Sequence, residues 1–123
     1  MAAPIERLKQ RSEFLRVAAA RRKWVTPGLI LQAALMPPGP DNQTFRIGYT
    51  ASRKVGGAVR RNLARRRLRA AVAEVMAGRA QAGRDYVLIA RQATPARRFT
   101  DLISDLESAL DGLAAKGDPR CAS

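Results

Sequence analysis

A chain of 123 residues that is 46% hydrophobic has material for one core and not two, and no apolar run approaches the roughly 20 residues a bilayer span needs. It carries 23 Lys and Arg against 10 Asp and Glu, a formal net charge of +13, with no histidine and one cysteine, Cys121. The missing histidine removes the usual general acid and base for RNA cleavage and the commonest transition-metal ligand, and one thiol cannot form an internal disulfide.

In chain order, residues 1 to 10 read as a loosely held arm without an apolar signal region, which predicts a cytoplasmic protein and no membrane partner. Ser12 is the expected N-cap of a helix to about Arg21, with Phe14, Val17 and Ala18 on one stripe. Trp24 to Gly28, with Pro27 inside it, reads as a connector. Leu29 to Met36 reads as a buried strand, closed by a Pro-rich surface loop through Gln43. Thr44 to Ser52 alternates, with Phe45, Ile47, Tyr49 and Ala51 on one face and Arg46, Gly48, Thr50 and Ser52 on the other.

Gly56-Gly57 then turns into a helix predicted from about Gly57 to Met76, whose core stripe is Ala64, Leu68, Ala71, Val72 and Val75. Gly78 and Gly83 bracket a loop, and Asp85 to Arg91 is a short apolar third strand. Thr100 is expected to cap a last helix with a stripe of Leu102, Ile103, Leu106, Leu110 and Leu113, and Asp101 complements its dipole. The chain is expected to be one domain over 1–123, with 1–6 and 116–123 flexible.

The charge is concentrated. Phe14 to Ala73 holds 13 Lys or Arg against one acid, Asp41, while the rest of the chain has 10 basic and 9 acidic residues. Arg53 to Arg69 alone carries eight cations and no carboxylate. Asn62, Arg65, Arg66 and Arg69 recur at i, i+3, i+4 and i+7, a polar row on a different side of the helix from its core stripe. Like charges at that spacing repel, and a polyanion relieves them while releasing its counterions. The row therefore predicts RNA binding. A groove-reading DNA helix would want dimer symmetry or a helix-turn-helix pair, and neither is present, so DNA is not an expected partner. No pairing of nucleophile and base, no cluster of metal-binding carboxylates and no phosphate loop is visible, so no catalytic and no metal-ligating residue is assigned.

With these residues the sequence resembles the bacterial ribonuclease P protein family. The resemblance runs from about Arg7 to Leu113. It is carried by Arg7-Leu8-Lys9 with Ser12-Glu13-Phe14 and Val17, by Arg46-Ile47-Gly48 through Ser52-Arg53-Lys54-Val55-Gly56, and by Asp85-Tyr86-Val87-Leu88-Ile89-Ala90-Arg91. Between them Ala58-Val59-Arg60-Arg61-Asn62-Leu63-Ala64-Arg65-Arg66-Arg67-Leu68-Arg69 aligns with the family's Arg-Asn-Arg helix. The resemblance implies an α+β fold, an αβββαβα two-layer sandwich like a small-subunit ribosomal protein domain, with a left-handed βαβ crossover.

It also implies a protein subunit that joins a catalytic RNA and, with Mg²⁺ held by the RNA, assists removal of the 5′ leader from precursor tRNA. Arg60, Arg61, Asn62, Arg65, Arg66, Arg67 and Arg69 would face the catalytic RNA. Phe14, Val17, Arg46, Arg53 and Lys54 would line a cleft for the single-stranded leader. The alternative is a general RNA-binding, chaperone or ribosomal protein without an enzymatic partner. Leu63, in place of the motif's last Arg, is expected to remove one phosphate contact, for which Arg67 compensates. Gly57 replaces an Asn and weakens the helix start, and Ala18 replaces an aromatic and thins the cleft. Trp24 or Tyr49 would either restore a stacking surface or serve as packing residues.

Overall fold

The computed structural model describes residues 6–35, 45–79 and 83–115. The Pro-rich loop, the middle of the Gly78–Gly83 loop and the two predicted flexible ends lie outside the described residues, Glu6 excepted. The elements are β1 (Glu6–Arg7), α1 (Arg11–Ala19), β2 (Lys23–Val25), β3 (Leu29–Leu35), β4 (Arg46–Thr50), a 3₁₀ turn (Arg53–Val55), α2 (Ala58–Arg79), β5 (Arg84–Ala90) and α3 (Phe99–Ala115). The strands form one mixed sheet in the order β1-β4-β5-β3-β2. β4, α2 and β5 make a parallel βαβ unit, whereas β3 runs antiparallel to both β5 and β2.

Two strands go beyond the sequence pattern. The start of the chain is not a loose arm throughout, because Glu6 and Arg7 pair in parallel with Arg46 and Ile47, and Leu8 is buried beneath α1. The connector at Trp24 is β2, whose Trp24 packs against Gly112 of α3 so closely that a Cβ on Gly112 would overlap the indole. Two helix starts also shift. α1 begins at Arg11 after Gln10 rather than after Ser12, because the Glu13 carboxylate reaches back to accept the Lys9 and Gln10 amides at 3.0 and 2.9 Å. α3 begins at Phe99, which puts Thr100 inside its first turn.

One sheet face carries the main core. Leu29, Leu31, Ala33, Phe45, Ile47, Tyr86, Leu88 and Ala90 meet Ala64, Leu68, Ala71, Val72 and Val75 of α2 and Leu102, Leu106, Leu110 and Leu113 of α3. Both predicted helix stripes are therefore the buried ones. Among the described residues the other face is covered by α1 alone, over a smaller cluster of Leu8, Val17, Ala34 and Val87 with Phe14 and Ile89 at its margin. One nine-residue helix cannot roof five strands, so part of this face is left uncovered by the described residues.

Candidate nucleic-acid interface

The strand registers lay out the α1 side of the sheet in three rows. Arg46, Asp85 and Ala34 form the first, Gly48, Val87, Gln32 and Lys23 the second, and Thr50, Ile89, Ile30 and Val25 the third. α1 anchors over the first row by charge. Asp85, fully buried, accepts Arg46 Nε and Nη2 at 2.7 Å each and also pairs with Arg16, whose Nη1 donates to the Leu35 carbonyl at 2.6 Å. Arg46 Nη1 donates to Glu13 at 2.6 Å, which closes a neutral cluster of two arginines and two carboxylates. The amides of Gln10 and Lys9, with Arg46 and Arg16 nearby, hold the Glu13 carboxyl below its ordinary value.

Phe14 lies over the second row, where only Gly48 fits, since a Cβ there would overlap the ring. The third row is left open by the described residues: Thr50, Ile30 and Ile89 are half-buried and Val25 is 50% exposed. This floor leads to Ser52, Arg53 and Lys54 in the turn after β4, all exposed. The result is a groove with an aromatic at one side, an apolar floor and two cations at its end. The floor residues Val25, Ile30, Thr50 and Ile89 are not among the site residues that the sequence points to. The alternation of β4 is the signal that could find Thr50, but Ile89 lies in a strand that is apolar from Tyr86 to Ala90 and Val25 belongs to one that reads as a connector.

Three predicted site residues take other roles. Val17 is fully buried between α1 and the sheet, with Leu8, Ala34 and Val87, rather than in the groove. Arg46 spends all three guanidinium nitrogens on Asp85 and Glu13. Arg67 turns from the solvent face of α2 to the loop before α3, donating to the carbonyls of Thr94 at 3.2 Å and of Arg97, so it does not compensate for Leu63. Tyr49 and Trp24 both pack on the α2–α3 side of the sheet, opposite Phe14, so neither restores a stacking surface in the groove.

The remaining helix residues come together on one flank of α2. Asn62, Arg66 and Arg69 are exposed and Arg65 is half-buried. Asn62 Oδ1 accepts Arg65 Nη1 at 3.0 Å, and the Arg69 guanidinium lies over the Tyr49 ring, 5.5 Å from its centroid. Burial pushes the Tyr49 phenol up to about 12 against the opposing pull of Arg69 and Arg7, so it stays neutral at working pH. Arg61 Nε is out of solvent with no acceptor among the described residues. Arg60 borders the flank at the first turn, donating to the Val55 carbonyl at 3.4 Å. Gly57 leaves the helix start without a side-chain cap, its carbonyl accepting the Arg61 amide at 2.9 Å.

The family model for ribonuclease P matches residues 3–114. A ribonuclease P protein component from Paramagnetospirillum magneticum is 55% identical over 117 residues, 94% of this chain and 87% of the relative. One from Gluconacetobacter diazotrophicus is 45% identical, covering 95% and 98%. Among solved structures, the Staphylococcus aureus RNase P protein is similar with a TM-score of 0.70 at 25% identity, over 85% of this chain and 92% of that one. The Thermotoga maritima RNase P protein shares the fold, with a TM-score of 0.69 at 23% identity over 84% and 93%. The chain belongs to the ribonuclease P protein component family.

Proposed function

We propose that this chain, as the protein component of ribonuclease P, holds a catalytic RNA on the α2 flank and the single-stranded 5′ leader of precursor tRNA in the groove between α1 and the sheet. The observation that carries the reading is the row Asn62, Arg65, Arg66 and Arg69, none of whose cations pairs with a carboxylate among the described residues. Cations left without internal counter-ions are the ones whose pairing with phosphate breaks no existing ion pair, and each contact releases condensed counterions.

In this reading the RNA supplies the reacting groups and the Mg²⁺ that supports hydrolysis. Among the described residues no three acidic or sulfur side chains gather to hold a metal, and no metal step is assigned to this chain. Its own part is to neutralise phosphates crowded at the cleavage site and to orient the leader. An aromatic beside an apolar floor accepts any base, because every base has a flat face, and Arg53 and Lys54 follow the backbone charge. The work takes place in the cytoplasm. A general RNA-binding or chaperone role finds no support in the relatives, which are ribonuclease P components.

The test is leader release from a precursor tRNA at low Mg²⁺ by the catalytic RNA of the same source, with and without the protein, beside the protein alone. Stimulation only in combination is expected. RNA binding without stimulation overturns the reading in favour of a chaperone role, and cleavage by the protein alone overturns the assignment of chemistry to the RNA. In the same assay Phe14→Ala should weaken precursor binding by at least about fivefold and spare mature tRNA. Equal losses on both would make Phe14 a packing residue only.

A further inference from the structure

The α2 flank contains an aromatic at the edge of the core and outside the groove. Tyr49 shares a strand face with Phe45 and Ile47, on the α2 side, but lies at the margin of the core and only half-buried. Its exposed neighbour is Arg69, with the guanidinium 5.5 Å from the ring centroid, inside the range of cation–π attraction. The parallel register of Arg7 with Ile47 puts Arg7 on this same side of the sheet, and its charge acts on the Tyr49 phenol. Next along the helix, Arg65 is held by the Asn62 amide oxygen. Both long cations thus rest on neutral partners.

We infer that Tyr49 is a positioning residue for RNA recognition, holding the Arg69 guanidinium extended at the sheet margin without cancelling its charge. The inference rests on the proposed RNA contact of the α2 flank. An unsupported arginine loses rotamer freedom when it grips a phosphate, and a side chain already ordered by its neighbour loses less. A carboxylate could order Arg69 equally well, but would give the phosphate a competitor. A neutral ring orders it and leaves the full charge available. Arg7, on the same side, extends the cationic surface from α2 across β4 to the edge strand β1.

The experiment is a double-mutant cycle on affinity for the catalytic RNA, using full-length protein, with Arg69→Ala, Tyr49→Leu, Tyr49→Phe and the Tyr49→Leu/Arg69→Ala pair, each over a salt series. Tyr49→Phe keeps the ring and should bind as the parent does. Tyr49→Leu should weaken binding by roughly two- to fivefold, as expected for a surface cation–π contact. The pair should bind no worse than Arg69→Ala alone. Additive losses would overturn the inference, because Tyr49 would then act independently of Arg69, and so would a Tyr49→Leu variant that binds like the parent. Arg69→Ala without effect would instead sink the α2 RNA contact itself. Thermal unfolding of each variant checks the fold, and if Tyr49→Leu unfolds, Tyr49→Met fills the same volume without a ring and takes its place in the cycle.

Discussion

The joint under α1 and the exposed flank of α2 treat arginine in opposite ways. Under α1, Arg16 and Arg46 converge on the buried Asp85 and on Glu13, so two cations and two anions cancel and what remains is a mechanical joint between helix and strands. On α2, Arg65 and Arg69 are steadied by an amide oxygen and an aromatic ring, and Arg66 is exposed with no pairing among the described residues. The same side chain serves as rivet in one place and as charge display in the other. The partner's charge decides which, because a carboxylate neutralises what it orients and a neutral group does not.

Breaking the rivet should have the largest effect. Asp85→Ala leaves the Arg16 and Arg46 guanidiniums without their shared counter-ion at a site with no water access for the carboxylate, and should cost on the order of 3 kcal/mol in urea unfolding. A loss below about 1 kcal/mol would mean α1 is held by its apolar stripe alone. Salt dependence sharpens the contrast next. The triple replacement of Arg65, Arg66 and Arg69 by Ala should lower the slope of log affinity for the catalytic RNA against log salt by ~0.9 for each phosphate no longer neutralised on a duplex-like site. Arg67→Ala, whose guanidinium is spent on loop carbonyls, should leave that slope unchanged. Equal slopes for the two variants would erase the distinction between displayed and spent cations.

The smallest expected effect is acid sensitivity at the joint. Glu13 is held below its ordinary value of 4.5, chiefly by the Gln10 and Lys9 amides, so it binds its proton less readily folded than unfolded. Its stabilisation is then complete above the ordinary value and is lost as the pH falls through the lower folded one. Glu13→Gln should flatten the stability profile in the acid window that runs from the ordinary value down through the lower folded one, while leaving affinity for the catalytic RNA intact. A profile identical to the parent's would show that the carboxylate contributes nothing beyond its shape.

The α2 flank is legible in the sequence because helical periodicity and charge segregation coincide along an element 22 residues long. The core stripes of α2 and α3 are legible for the same reason. β1 and β2 are not, since strands of two and three residues hold barely one period of alternation, and each exists only because a neighbouring strand offers its edge. The groove beside α1 is half legible. Phe14, Arg53 and Lys54 follow from motif positions, but the floor of Val25, Ile30, Thr50 and Ile89 is assembled across four strands that pair through registers no local pattern reports.

Composition and spacing by themselves determined that this chain concentrates positive charge on one helical face, has no histidine for acid–base work and belongs beside RNA. Those are properties of side chains a few residues apart, where backbone geometry alone sets the neighbours. Only the tertiary structure decided which arginines remain available. Arg46 meets Asp85 across 39 residues and Arg67 meets Thr94 across 27, so the carboxylates and carbonyls that retire a cation arrive from distant elements. A cation's partner is chosen by packing, and packing is settled by the sheet's long-range registers rather than by any segment alone.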